Sequence, residues 1–382
     1  MKKIDQKFEE LRFNKMTTNP NKELYVACKN GDVDAVKFLI AHGASNWNWG
    51  LHGACEGGHV GLVEMMIAHG ASNWNGSLYG ACYGGNIELA QLMIAHGGTD
   101  WNYGLYGACE GGHVELVELM IARGASNWDW GLQYACKGGN VAIVNMMIAY
   151  GATDWNSGLI SACKGGHVAI VDTMITHGAT NWDLGLFGAC EGGNIELAEL
   201  MIAHGATDLD RGLFGACQGG HIALAELMIA RGATEWNWGL FVACEYGHVE
   251  LAELMITRGA TNFDYCLHRS CELGYIAIVE IMIKRGITDW NAVSNCYCNP
   301  NIEEYVKAQW KLHDARSTPI ISMLLRYVKR LRNAKQIQQW WRCTYPLWCE
   351  LAYAPPNGIR YRQSFEHFIQ LTNPKNQNLK TF

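Results

Sequence analysis

The chain has 382 residues, 49% of them hydrophobic, 15 cysteines and a formal net charge of −6. The charge is split: residues 1–300 hold 17 Lys/Arg against 31 Asp/Glu, a net −14, whereas residues 301–382 hold 13 against 5, a net +8. No segment approaches the roughly 18 apolar residues a membrane span needs, which excludes a membrane-spanning protein, and the charged N-terminal stretch excludes a secretory signal peptide.

Residues 1–21 read as a leader or N-terminal cap. From 22 to 291 one pattern governs everything. Cys28, Cys55, Cys82 and their successors to Cys271 recur every 27 residues. A leucine stands four residues before each cysteine, a glycine three after and another fifteen after. An aromatic residue falls nineteen after in nine of ten units, Leu209 being the exception. Fixed periods of this length mark a solenoid, one extended domain in which each unit touches only its neighbours. Four residues past the cysteine, His59, His113, His167 and His221 alternate with Asn86, Asn140 and Asn194, a sign of growth by two-repeat blocks. Residues 292–312, with Pro300 in place of a glycine, read as a degenerate closing repeat. Residues 313–382 form a basic helical C-terminal region.

Within one unit, 102–128, the short segment around Leu105–Cys109 predicts a brief helix, and Asn102 is placed to cap its first turn. Gly111-Gly112 predicts a tight turn. Val114, Leu116, Val117, Met120 and Ile121 follow helical spacing, with Glu115 and Glu118 left for solvent, so a second helix is expected over 114–122. Gly124 is expected to end it in a left-handed conformation. The Trp at the end of the unit is assigned to a short connector. The fold class is therefore all-α, a solenoid of about ten to eleven helix-turn-helix repeats.

In the tail, Ile321, Leu324, Leu325, Val328 and Leu331 recur at helical spacing with Arg326, Lys329, Arg330 and Arg332 interleaved; Lys335 follows. A basic amphipathic helix of this kind suits a calmodulin-type partner, an anionic surface or nucleic acid. It equally suits the end cap that a solenoid needs.

The run Leu51-His52-Gly53-Ala54-Cys55, then Gly58-His59-Val60, then Gly70-Ala71, resembles the ankyrin repeat, whose signature is T-P-L-H-x-A with a period of about 33 residues. The resemblance covers residues 22–291. It implies a non-enzymatic protein-binding scaffold that uses the first helix and connector as a concave face. Two departures stand out: Thr-Pro is replaced by pairs such as Trp49-Gly50, and the shortening falls in the connector, where a stubby turn rather than a β-hairpin is expected. Trimmed, Trp-rich repeats of this kind resemble those of large DNA viruses, which would imply an intracellular, cytoplasmic protein interacting with its host. Some viral ankyrin proteins end in an F-box-like helix that recruits a ubiquitin ligase, and Pro319 followed by Ile-Ile-Ser-Met-Leu-Leu has a hint of that pattern without its acidic residue. The partners implied are thus an unidentified protein and, through the tail, a ubiquitin-ligase component or nucleic acid; the array is expected to be monomeric.

No phosphate loop, nucleophile elbow or H-E-x-x-H motif occurs, and no catalytic residue, cofactor or metal is assigned. Cys55/His59 and its equivalents have the look of paired metal ligands, but the histidine is missing from half the units, and a buried cysteine packs as a small hydrophobe. Repeat-invariant positions serve the framework, so recognition is assigned to the positions that vary. These are Tyr79, Tyr106, Phe187, Phe214 and Phe241, three before the cysteine, and Trp49, Tyr103, Trp130 and Trp238, six before it. The basic residues Arg326, Lys329, Arg330, Arg332 and Lys335 are the candidate contacts of the tail.

Overall fold

A computed structural model describes residues 20–285. The chain divides into two compact units, Met1–Ile302 and Glu303–Phe382, and the described residues belong to the first. Residues 1–19 of the leader, the closing repeat and the basic tail lie outside them; Pro20 and Asn21, read as the end of the leader, belong to the first helix.

The described residues form twenty α-helices in ten pairs and no strand, from α1 (Pro20–Asn30) to α20 (Ile276–Lys284). A representative pair is α7 (Trp101–Gly111) and α8 (Val114–Arg123), followed by α9 (Trp128–Gly138) of the next unit. Each first helix packs on the first helices of its neighbours and on its own second helix. The core of a unit is Leu105, Ala108 and Cys109 from α7 with Leu116, Val117 and Met120 from α8, all at most 1% exposed. Burying a large aliphatic side chain contributes about 1.5–3 kcal/mol. A lone pair has one apolar face and nothing to cover it; the neighbouring units supply the cover.

The turns follow the expected glycine chemistry. Gly112 (φ 85°) and Gly124 (φ 112°) adopt the left-handed conformation that side chains resist. The connector is four residues, Gly124 to Asn127, so no hairpin projects.

Two details correct the sequence reading. The tryptophan belongs to no connector: Trp101 and Trp128 open α7 and α9. The first helix is therefore longer than expected. The cap is also two residues earlier than expected. Asp100, not Asn102, caps α7, accepting from the Tyr103 N–H at 3.0 Å, and Asn46, Asn73, Asp154, Asn181 and Asp208 repeat the arrangement.

Asn102 has a different role. Its Oδ1 accepts from two successive backbone N–H groups of the next connector, Ser126 at 2.9 Å and Asn127 at 3.0 Å. Asn21, Asn48, Asn75, Asp129, Asn156, Asp183, Asp210 and Asn237 do the same one unit on. One Asx per unit thus clamps the following connector and stands in for the hairpin bonds it lacks. The clamp needs only an acceptor oxygen. Asn102→Asp should leave the melting temperature nearly unchanged, whereas Asn102→Leu strands two N–H donors and should cost about 1–2 kcal/mol by chemical denaturation. Equal loss in both variants would contradict the clamp.

The alternating His/Asn position also acts between units. Instead of capping its own helix, His113 directs Nε2 to the Tyr83 carbonyl at 3.1 Å, and Asn140 donates from Nδ2 to the Cys109 carbonyl at 3.0 Å. These carbonyls end the first helix of the preceding unit, where intrahelical partners run out. Both residue types carry a donor at that reach, so the alternation is structurally neutral. Asp32, in the first described unit, caps its own helix instead, at the Ala35 N–H.

Candidate functional site

The variable positions of the first helices lie together. Positions six and three before the cysteine, and one after it, fall on one stripe of each first helix by the 3.6-residue repeat. Stacking the units sets these stripes side by side.

At the N-terminal end, Tyr25 stacks near His52 (ring centroids 5.8 Å) and His52 near Tyr79 (5.9 Å). Tyr79 stacks on Tyr103 at 4.7 Å, and Tyr106 on Tyr134 at 5.2 Å, with Trp130 6.1 Å from Tyr106. A second run joins Phe187 to Phe214 (5.5 Å), Phe214 to Trp238 (6.0 Å), Trp238 to Phe241 (5.4 Å) and Phe241 to Tyr265 (5.1 Å). Between the runs the face carries Gln133, Ser157, Ile160 and Leu184. Offset and tilted rings at these separations are the favoured aromatic geometry.

The structure separates the expected residues into two sets. Tyr79, Tyr106, Phe187, Phe214 and Phe241 are half-buried between neighbours and form the floor of the face. Trp49 (50% exposed), Tyr103 (37%), Trp130 (50%) and Trp238 (54%) stand out from it. Tyr265, 57% exposed, belongs with the second set. Tyr134 has a legible signal, an aromatic at a position that is glycine in half the units, and it joins the first run. Arg326, Lys329, Arg330, Arg332 and Lys335 lie outside the described residues.

A polar row borders the rings one residue past each cysteine. The Glu56 carboxylate accepts from the Tyr25 hydroxyl and pairs with Lys29 at 2.7 Å. Glu110 accepts from the Tyr79 hydroxyl at 2.8 Å and pairs with Lys137 at 2.7 Å. Glu191 takes Lys164 at 2.5 Å and the Gln218 amide at 2.7 Å. Burial and then the Glu110 hydrogen bond push the Tyr79 phenol well above its ordinary range. Such bonds hold the ring floor in place, which lowers the entropy a partner must overcome.

The tryptophans that open the first helices are occupied elsewhere. Trp74 stacks on His96 at 4.6 Å, Trp128 on Tyr150 at 4.9 Å and Trp182 on His204 at 4.8 Å, while the Arg123 guanidinium lies 5.6 Å from the Trp101 ring. Each pins the end of the second helix to the start of the first within its own unit.

The cysteines are buried, and their thiols stand among Leu, Ala and Met. Desolvation pushes Cys55, Cys82, Cys136 and Cys163 up to about 12, which keeps them protonated and unreactive at neutral pH. His59, His113, His167 and His248, four past a cysteine in sequence, instead direct Nε2 to backbone carbonyls of the preceding unit. Among the described residues no three His, Cys, Asp or Glu side chains converge as metal ligands, and no helix is long and apolar enough to cross a membrane.

No curated protein is matched by the chain. Among solved structures it is similar to the human ASB11 ankyrin repeat domain, at 22% identity and a TM-score of 0.32, over 41% of this chain and 84% of that one. The family described as ankyrin repeats (3 copies) matches residues 24–103. The same 27-residue unit, with the same core, turns and inter-unit bonds, continues without a gap beyond the matched segment to the last described helix. The described residues form an ankyrin-type repeat array, built from shortened units joined by turns of four or five residues in place of hairpins.

Proposed function

We propose that the chain is a non-enzymatic interaction scaffold that binds a partner protein through the aromatic face of its first helices. Ankyrin repeats generally mediate protein–protein interaction. The observation that carries this reading is the pair of ring runs, half-buried below and exposed at Trp49, Tyr103, Trp130 and Trp238. Large aromatics on a rigid floor are the residues that dominate binding hot spots. Rings that only packed the array would recur in every unit, as the helix-opening tryptophans nearly do; these do not. On the same reading the protein works inside a cell, where a reducing environment suits its many free thiols.

The test is affinity capture from extract of the native cell with the full chain and with a Trp49→Ser, Trp130→Ser, Trp238→Ser variant. Each truncation at a hot spot costs about 2 kcal/mol or more, so the captured proteins should be lost while the circular dichroism melt is retained. Retention of the same proteins by the variant would refute the assignment.

A further inference from the structure

The acids at the N-terminal edge of the aromatic face carry more charge than folding requires. Between Asp100 and Trp238, the connectors and first helical turns bear capping residues Asp100, Asp154 and Asp208 and clamping residues Asp129, Asp183 and Asp210. Arg211 is the one Lys or Arg on those segments, which also hold His177. The array itself shows that the charge is dispensable to structure. Neutral Asn46, Asn73 and Asn181 make the same cap at 3.1–3.2 Å, and neutral Asn48, Asn75 and Asn102 make the same clamp at 2.8–2.9 Å, only slightly longer than the bonds to Asp. One oxygen of each carboxylate makes the cap or clamp, and Asp154 also takes the Ser157 hydroxyl with its second; the negative charge is surplus to the cap or clamp itself. It lies beside the exposed rings: Asp129 precedes Trp130, and Asp100 bonds the Tyr103 N–H.

Resting on the reading of this face as the partner site, we propose that its occupant is an extended, arginine-rich segment of a partner protein. Guanidinium planes would lie over the exposed rings, and the carboxylates alongside would supply complementary charge. A guanidinium over Trp or Tyr is attracted by the ring's negative face, and Arg also stacks on it. The array already contains this contact, with Arg123 over Trp101. A phosphate-bearing partner is repelled by the same edge, and an apolar partner gains nothing from it.

The experiment measures binding of the full chain to a fluorescein-labelled unstructured peptide alternating Arg with Gly and Ser, against a copy with every Arg replaced by Gln. The Arg peptide should bind, and more weakly as salt rises. Trp130→Leu or Trp238→Leu should weaken it by about threefold to thirtyfold, the range expected for one cation–π contact. Asp129→Asn, Asp183→Asn, Asp210→Asn should weaken it by about tenfold with an unchanged melt, because the clamps survive. Equal binding of the Gln peptide, or undiminished binding by the triple Asn variant, overturns the inference. If cellular partners are still lost from the Trp→Ser variant in that case, the face remains a partner site and only the basic occupant falls. If they are retained as well, both fall.

Discussion

Raising the pH from about 8 to about 10.5 under reducing conditions should unfold the array. Seven repeat thiols, at Cys28, Cys55, Cys82, Cys136, Cys163, Cys190 and Cys217, are held up to about 12 by burial. In the unfolded chain a thiol ionises near 9. Below pH 9 both states keep the proton and the thiols cause no pH dependence. Above it the unfolded chain releases protons that the array cannot, so stability falls with rising pH until about 12. Each thiol contributes a slope of about 1.4 kcal/mol per pH unit, and the seven together about 10 kcal/mol per unit. A repeat array cannot withstand that over more than a unit or so, given total stabilities of about 5–15 kcal/mol. Urea unfolding followed by circular dichroism at a series of pH values measures it. Cys82→Ala, Cys136→Ala, Cys190→Ala should be less stable at pH 7 yet show a visibly shallower alkaline slope. An unchanged slope would mean that the thiols are solvated.

Gly111→Ala should destabilise the array by about 3 kcal/mol, although helix propensity alone predicts a gain of up to about 1 kcal/mol. Gly111 ends α7 with ordinary helical geometry. The space is what forbids a side chain: a Cβ there would lie 2.2 Å from the Tyr83 carbonyl oxygen of the preceding unit. That carbonyl is the one His113 reaches, so backing it away also breaks the inter-unit bond. Gly57 faces the Lys29 carbonyl and Gly138 the Glu110 carbonyl in the same way, each beside its own His or Asn contact. The close approach and the hydrogen bond are one device. A differential scanning melt of the single variant decides between the two signs, and a rise in melting temperature would refute the steric account.

These results mark where the sequence was informative. The in-phase cysteines, the glycine pairs and the Val-x-Leu-Val-type runs predicted two helices per unit with a tight turn, because helical periodicity and left-handed glycines are local properties. The second helix was located to within a residue at its end. The first helix is longer than its sequence suggests and its cap is the earlier Asx, a choice the sequence leaves ambiguous because one such residue stands on each side of the tryptophan in most units. Both can bond an N–H. Only the position of the neighbouring unit shows that the earlier one caps its own helix and the later one reaches across.

The candidate site divides along the same line. The variable aromatic positions could be picked out because framework residues repeat and these do not. Which of them stand free and which form the floor depends on the neighbour 27 residues away. Trp130 and Tyr106 occupy equivalent kinds of position on a helical wheel, yet the first is half exposed and the second is wedged against Tyr134 of the next unit. The surplus charge is equally invisible until Asp129 and Asn102 are seen making the same pair of bonds to the next connector. The sequence by itself determined the repeat, its two helices, its turns and its thiol core, since each follows from spacing within one unit. The tertiary structure decided the clamps, the exposed rings and the acidic edge, because those depend on distances between units that a linear period does not contain.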